Sequence, residues 1–81
     1  MNKRASKEYE AALRDFSILI KKQIKEDLNF WKHQNPAEAK GREMAYRSCL
    51  FELNEALSNN GLSLGDIGLG GYEVPDTDVA E

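Results

Sequence analysis

The sequence predicts an all-α fold: an antiparallel two-helix hairpin followed by a short helical turn and an extended acidic tail. Three observations carry this. Apolar residues recur at helical spacing in two long segments. Between them stands a single break, Asn35-Pro36-Ala37-Glu38. Apart from Gly41 and Pro36, every glycine and proline falls after residue 60.

The first helix is expected at about 7–33. Residues 1–6 are polar, and Ser6 is of a type that caps a helix by accepting from the free amides of its first turn. Tyr9, Leu13, Phe16, Ile20, Ile24, Leu28 and Trp31 step by three or four and form one stripe, widened by Ala12 and Leu19. Glu10 with Arg14 and Lys22 with Glu26 are i,i+4 pairs of opposite charge.

The second helix is expected at about 36–60. Asn35 suits the N-cap, Pro36 the first helical position, and Glu38 is placed to reach back to the cap amide. Its apolar stripe is read as Tyr46, Cys49, Leu50, Leu53, Ala56 and Leu57, with Gly61 ending the helix in a left-handed conformation. A connection this short forces the helices antiparallel. Ser63-Leu64-Gly65-Asp66-Ile67 reads as one further turn, over about 63–67. Residues 1–69 are thus read as a helical hairpin domain and 70–81 as an extended acidic tail. Gly70-Gly71 hinge the tail, and Tyr72 is expected to anchor it if it docks.

At 81 residues the chain is one domain with a marginal core. The usual staples of so small a domain are missing from the sequence. Cys49 has no partner for a disulfide, and His33 is the sole histidine, so zinc ligation by a Cys/His cluster is excluded. Self-association remains, and a homodimer forming a four-helix bundle is expected. Ile18, Met44 and Phe51 fall outside the hairpin stripes, and with Tyr72 they are the candidate partner or dimer surface.

Charge is unevenly distributed. All 11 Lys and Arg lie at or before Arg47, whereas residues 51–81 carry seven acidic groups and no basic one. Arg14, Lys21, Lys22 and Lys25 make the first helix the candidate nucleic-acid face. Asp15, Glu26 and Asp27 interrupt it, and no aromatic residue sits among the lysines in sequence for bases to stack on.

No catalytic residue, metal site or cofactor is expected. His33 in the turn and Cys49 well into the second helix would be about 20 Å apart in such a hairpin, and Cys49 is read as a buried core residue. The glycine-rich run Gly65–Gly71 lacks the Lys-Ser/Thr of a phosphate loop. The longest apolar run, Ile18-Leu19-Ile20, is far short of a membrane span. With no secretion signal visible and one unpaired cysteine, the expected location is the cytoplasm.

The stretch Ala39-Lys-Gly-Arg-Glu-Met-Ala-Tyr46, running on through a helix to Gly61-Leu-Ser-Leu-Gly-Asp-Ile67, resembles small helical-hairpin proteins encoded by bacteriophages and prophages. The resemblance implies a cytoplasmic accessory protein that regulates, inhibits or scaffolds a host or phage protein. It transfers no functional residue. Helical-hairpin RNA binders of the plasmid copy-number type are matched in architecture only. The function expected is therefore a non-enzymatic protein–protein interaction module, with nucleic-acid binding through the basic face of the first helix as the alternative.

Overall fold

The computed structural model describes residues 3–78. Two α-helices, α1 (Lys3–Gln34) and α2 (Pro36–Asn59), form the expected hairpin, and a 3₁₀ turn, η1 (Leu64–Ile67), follows. No strand occurs among the described residues.

Helix α1 begins at Lys3, so Ser6 lies inside it and is not its cap. The break at Asn35 follows the sequence closely. Its side chain accepts from the Glu38 amide at 3.2 Å, and Pro36 opens α2. The reciprocal half of the capping box is not formed. The Asn35 amide already donates to the Trp31 carbonyl at 2.7 Å, and the Glu38 carboxylate turns instead to Arg42 Nε, 3.3 Å away. At the other end of α2, Gly61 is left-handed and the Leu62 amide donates to the Leu57 carbonyl, closing the helix as expected.

The seam between the helices differs from the stripes read in the sequence. On α2 it runs Ala39, Glu43, Tyr46, Leu50, Leu53, Leu57, in alternating steps of four and three, and its members are buried or half-buried. Cys49 is exposed, not buried. It precedes Leu50 by one residue, which rotates it about 100° off the seam. On α1 the series is Leu13, Ser17, Ile20, Ile24, Asp27, Trp31, with Leu28 beside it. Ile24, Leu28 and Ser17 are the buried members.

The upper part of the expected α1 stripe is not core. Tyr9, Leu13, Phe16 and Leu19 are exposed. One cause is length: α1 has 32 residues and α2 has 24, leaving about 12 Å of α1 with no helix alongside. The other is rotation, since Phe16 and Leu19 belong to a second series on the side of the helix.

Residues after α2 return along the hairpin and complete its core. Leu57, Ile67 and Leu69 form one cluster, and Ile24, Leu28 and Val74 a second. Ile20, Leu50 and Tyr72 pack against both. The turn η1 is held by Asp66, whose carboxylate accepts from the Ser63 amide (2.8 Å) and hydroxyl (3.1 Å). The buried Ser17 hydroxyl ties η1 to α1. It lies 2.9 Å from the Leu13 carbonyl and also against that of Ile67. Two glycines make the return possible. Gly68 takes φ +85°, where an L side chain is strained. A Cβ on Gly70 would come within 3.0 Å of the Gly65 backbone.

Candidate interaction surfaces

The segment after Gly70 docks in extended form within the chain. Val74 is its deepest side chain, and Tyr72, the expected anchor, is half-buried with Lys21 Nζ 5.8 Å from its ring centroid. Its hydrogen bonds run to α2, while Tyr72 and Val74 lie against Lys21, Ile24 and Leu28 of α1. Thr77 donates its amide (2.8 Å) and hydroxyl (2.9 Å) to Glu43 Oε1. Arg47 spans the join, with Nε 2.9 Å from Glu43 Oε2 and Nη2 donating to the Val74 carbonyl at 2.8 Å. Lys40 Nζ lies 2.8 Å from Asp78 and 3.5 Å from Glu43. Glu43 is thus a buried carboxylate whose two oxygens are both occupied. The Thr77 amide, with Arg47, the Thr77 hydroxyl and Lys40 behind it, outweighs burial and lowers its pKa to about 2.

A second polar cluster closes the opposite side of the hairpin near the turn. Asp27 accepts from Arg42 Nη1 (3.1 and 3.2 Å) and from the Tyr46 hydroxyl (2.8 Å), and the Arg42 guanidinium stacks 4.5 Å from the centre of the Trp31 ring. Burial, with the Asp27 carboxylate beside it, pushes the Tyr46 pKa up to about 12.

These contacts define two broad faces. Lys21, Leu28, Glu43 and Arg47 meet the C-terminal segment on one. Asp27, Arg42 and Tyr46 meet each other on the other, which no later segment among the described residues covers. On this open face, positions 9, 12, 16, 19, 23, 26 and 30 of α1 repeat in alternating steps of three and four. Tyr9, Phe16, Leu19 and Phe30 of that series are 60, 49, 65 and 55% exposed. The α2 half of the same face carries the small exposed residues Ala45, Cys49 and Ala56.

Ile18, Met44 and Phe51 are exposed, but they do not converge. At 100° per residue Ile18 stands on the outer edge of α1 and Met44 and Phe51 on that of α2, with the C-terminal segment between. Phe51 borders a groove with Tyr72, Glu73 and Val74. The nucleic-acid candidates are also divided. Arg14 pairs with Glu10 at 3.1 Å, and Lys22 lies 4.0 Å from Glu26. Lys21 and Lys25 instead join Asn29 and Lys32 along a groove completed by Leu28, Tyr72, Pro75, Asp76 and Thr77.

The sequence reading missed the open face because it merged two series into one wide stripe. The signal was present: residues 13–31 and 9–30 each keep their own alternation of threes and fours. It missed Glu43 because a glutamate was not sought at a seam position, although stepping back from Tyr46 by three and then four gives Glu43 and Ala39.

Among the described residues no group of three or more His, Cys, Asp or Glu side chains is placed to hold a metal ion. No helix among them is long and apolar enough to cross a membrane. The arrangement defines a small helical hairpin with one face sealed by its own C-terminal segment and one face open. No protein-family model, curated protein or solved structure matches the chain.

Proposed function

We propose that this chain is a small non-enzymatic protein–protein interaction module that binds through the open face of its hairpin. The observation that carries this reading is the row Tyr9, Phe16, Leu19 and Phe30, large apolar side chains left in water on one side of a well-tied hairpin. Large apolar side chains exposed along one face mark interaction sites. The two most strongly perturbed groups, Glu43 and Tyr46, are engaged in holding the hairpin and its C-terminal segment together, which is structural work. A cytoplasmic accessory role, regulating or scaffolding a larger assembly as phage- and prophage-encoded hairpins do, is consistent with a rigid body that presents one apolar face.

The test compares proteins captured from a cell lysate by the immobilised wild-type chain and by two variants. A Phe16→Glu/Leu19→Glu chain is expected to lose the captured species, and a Met44→Glu chain to retain it. Capture indifferent to Phe16 and Leu19 would sink the reading.

One observation favours nucleic acid as a second reading. Folding brings Tyr72 beside Lys21 and Lys25, supplying the aromatic platform that the sequence lacked among its lysines. Asp76 in the same groove and the net charge of −3 weigh against it. Fluorescence anisotropy with single-stranded RNA and DNA decides. Tight binding that falls steeply with salt and is lost on Lys21→Gln/Lys25→Gln would reverse the ranking.

A further inference from the structure

The C-terminal segment sits on the hairpin as a peptide ligand sits in its groove. Arg47, Glu43 and Lys40 follow one another at steps of four and three along one face of α2. They meet the segment in reverse order. Arg47 Nη2 donates to the Val74 carbonyl at 2.8 Å, Glu43 accepts from the Thr77 amide at 2.8 Å, and Lys40 pairs with Asp78 at 2.8 Å. The first two grips are on main-chain atoms, so they suit any extended peptide laid in this register. Side chains are read at two further points. Val74 packs on Ile24 and Leu28, and the Thr77 hydroxyl reaches Glu43 at 2.9 Å.

We infer that this face is a peptide-binding groove, that the chain's own segment is a built-in competitor for it, and that its partner is an extended acidic stretch of another protein with a branched apolar residue three positions before a Ser or Thr. The groove lies on the side of the hairpin opposite the open face, so it stands or falls independently of the reading given above.

The way the segment is held makes it displaceable. Val74 is the one buried side chain in 72–78. Lys40, Asp76 and Asp78 are 42, 50 and 70% exposed, so salt screens their ion pairs. The join to the hairpin is uncrowded, since a Cβ on Gly71 would meet nothing within 4 Å. A segment with one buried side chain and exposed polar contacts belongs to the part of a fold that opens locally. When it lifts, Ile24 and Leu28 lose cover, while Asp27, Arg42 and Tyr46 still join the helices on the other side.

The chemistry of the groove selects its partner. Its rim carries Lys21, Lys25, Lys40 and Arg47, and the segment that fills it carries Glu73, Asp76 and Asp78 with no cation in 72–78. Charge complementarity therefore asks for an acidic occupant. Glu43, buried between the rims, asks for an N–H or O–H donor. A peptide amide supplies one. Phosphates supply none and are repelled by the carboxylate, so the groove fits an acidic peptide better than a nucleic acid.

The test titrates the full chain against a fluorescent peptide of residues 70–78. With its own segment in place, wild type should bind weakly, because only the open fraction is competent. Thr77→Pro in the chain removes the amide and hydroxyl that Glu43 accepts. It should tighten binding of the unaltered peptide by about tenfold or more, with helical circular dichroism unchanged. Arg47→Gln in that background should cancel the gain, and so should Val74→Asp in the peptide. Phe16→Glu/Leu19→Glu, on the open face, should leave it intact. A second measurement needs no variant. In isotope-labelled wild type, excess unlabelled peptide should speed exchange of the Thr77 amide while the Ile24 and Leu28 amides stay protected. The inference is overturned by a peptide that neither chain binds, by equal binding to both, or by a Thr77 amide that excess peptide leaves unmoved. Displacement of the segment by single-stranded DNA and not by the peptide would overturn it in favour of nucleic acid. A wild-type chain that light scattering finds paired, and Thr77→Pro finds single, would overturn it in favour of a second copy.

Discussion

Thr77 donates both its backbone amide and its hydroxyl to one oxygen of Glu43, across 34 residues of sequence. This pair fastens the acidic C-terminal segment to α2, and the other Glu43 oxygen is held by Arg47 and Lys40. The acidic segment is therefore fastened to a buried carboxylate of α2 through the amide and hydroxyl of a threonine, while Asp76 and Asp78 beside it stay at the surface.

Removing the Glu43 carboxylate should loosen that segment. Glu43→Ala leaves the Thr77 amide and the Arg47 guanidinium without their acceptor, at a cost of about 1–3 kcal/mol. For a chain of this size that lowers the melting temperature by roughly 4–24 °C. Amide exchange should rise most at Thr77 and Asp78. Equal melting of wild type and variant would show that the contact contributes nothing.

Glu43 also sets an acid limb. Its folded pKa of about 2 lies below the ordinary 4.5. The folded state therefore favours the charged form, and this stabilisation is fully present above pH 4.5. It is lost as the pH falls from 4.5 through 2. Thermal melts across that window should show the loss, and Glu43→Gln should flatten it. An identical acid profile for the variant would mean that another carboxylate dominates.

Tyr46 sets an alkaline limb of opposite sign. Its folded pKa of about 12 lies above the ordinary 10.0, so the neutral hydroxyl donating to Asp27 is the stabilised form. That contribution is complete below pH 10 and disappears as the pH rises through 12. An ultraviolet phenolate titration should contain a step near pH 12 that vanishes in Tyr46→Phe. The same substitution should cost about 1–3 kcal/mol at neutral pH, because the hydroxyl bonds a charged acceptor.

Ending the chain after Gly71 should destabilise the hairpin itself. Val74 packs against Ile24 and Leu28, and its removal uncovers both. The expected fall in melting temperature is on the order of 10 °C or more, since burial worth about 2 kcal/mol goes with Val74 alone. Val74→Asp in the full chain should reproduce much of it. A truncated chain that melts with the wild type would show that the segment rides on the hairpin without supporting it.

The sequence alone determined the two helices, the Asn35–Pro36 break, the cap at Gly61 and the turn at Ser63–Ile67. Each is a local matter of spacing, capping side chains and glycine conformation, written within a few consecutive residues. Which side of each helix is core was not local. Tyr9, Phe16 and Leu19 have the hydrophobicity of core residues, and Cys49 and Glu43 differ by less than two turns of helix. Only the partner helix and the returning C-terminal segment decided that Glu43 is buried and Cys49 exposed. The reason is that burial belongs to a pair of surfaces. A carboxylate enters a core when amide, hydroxyl and cation from distant segments meet it there. A phenylalanine stays in water where none of the described segments lies over it.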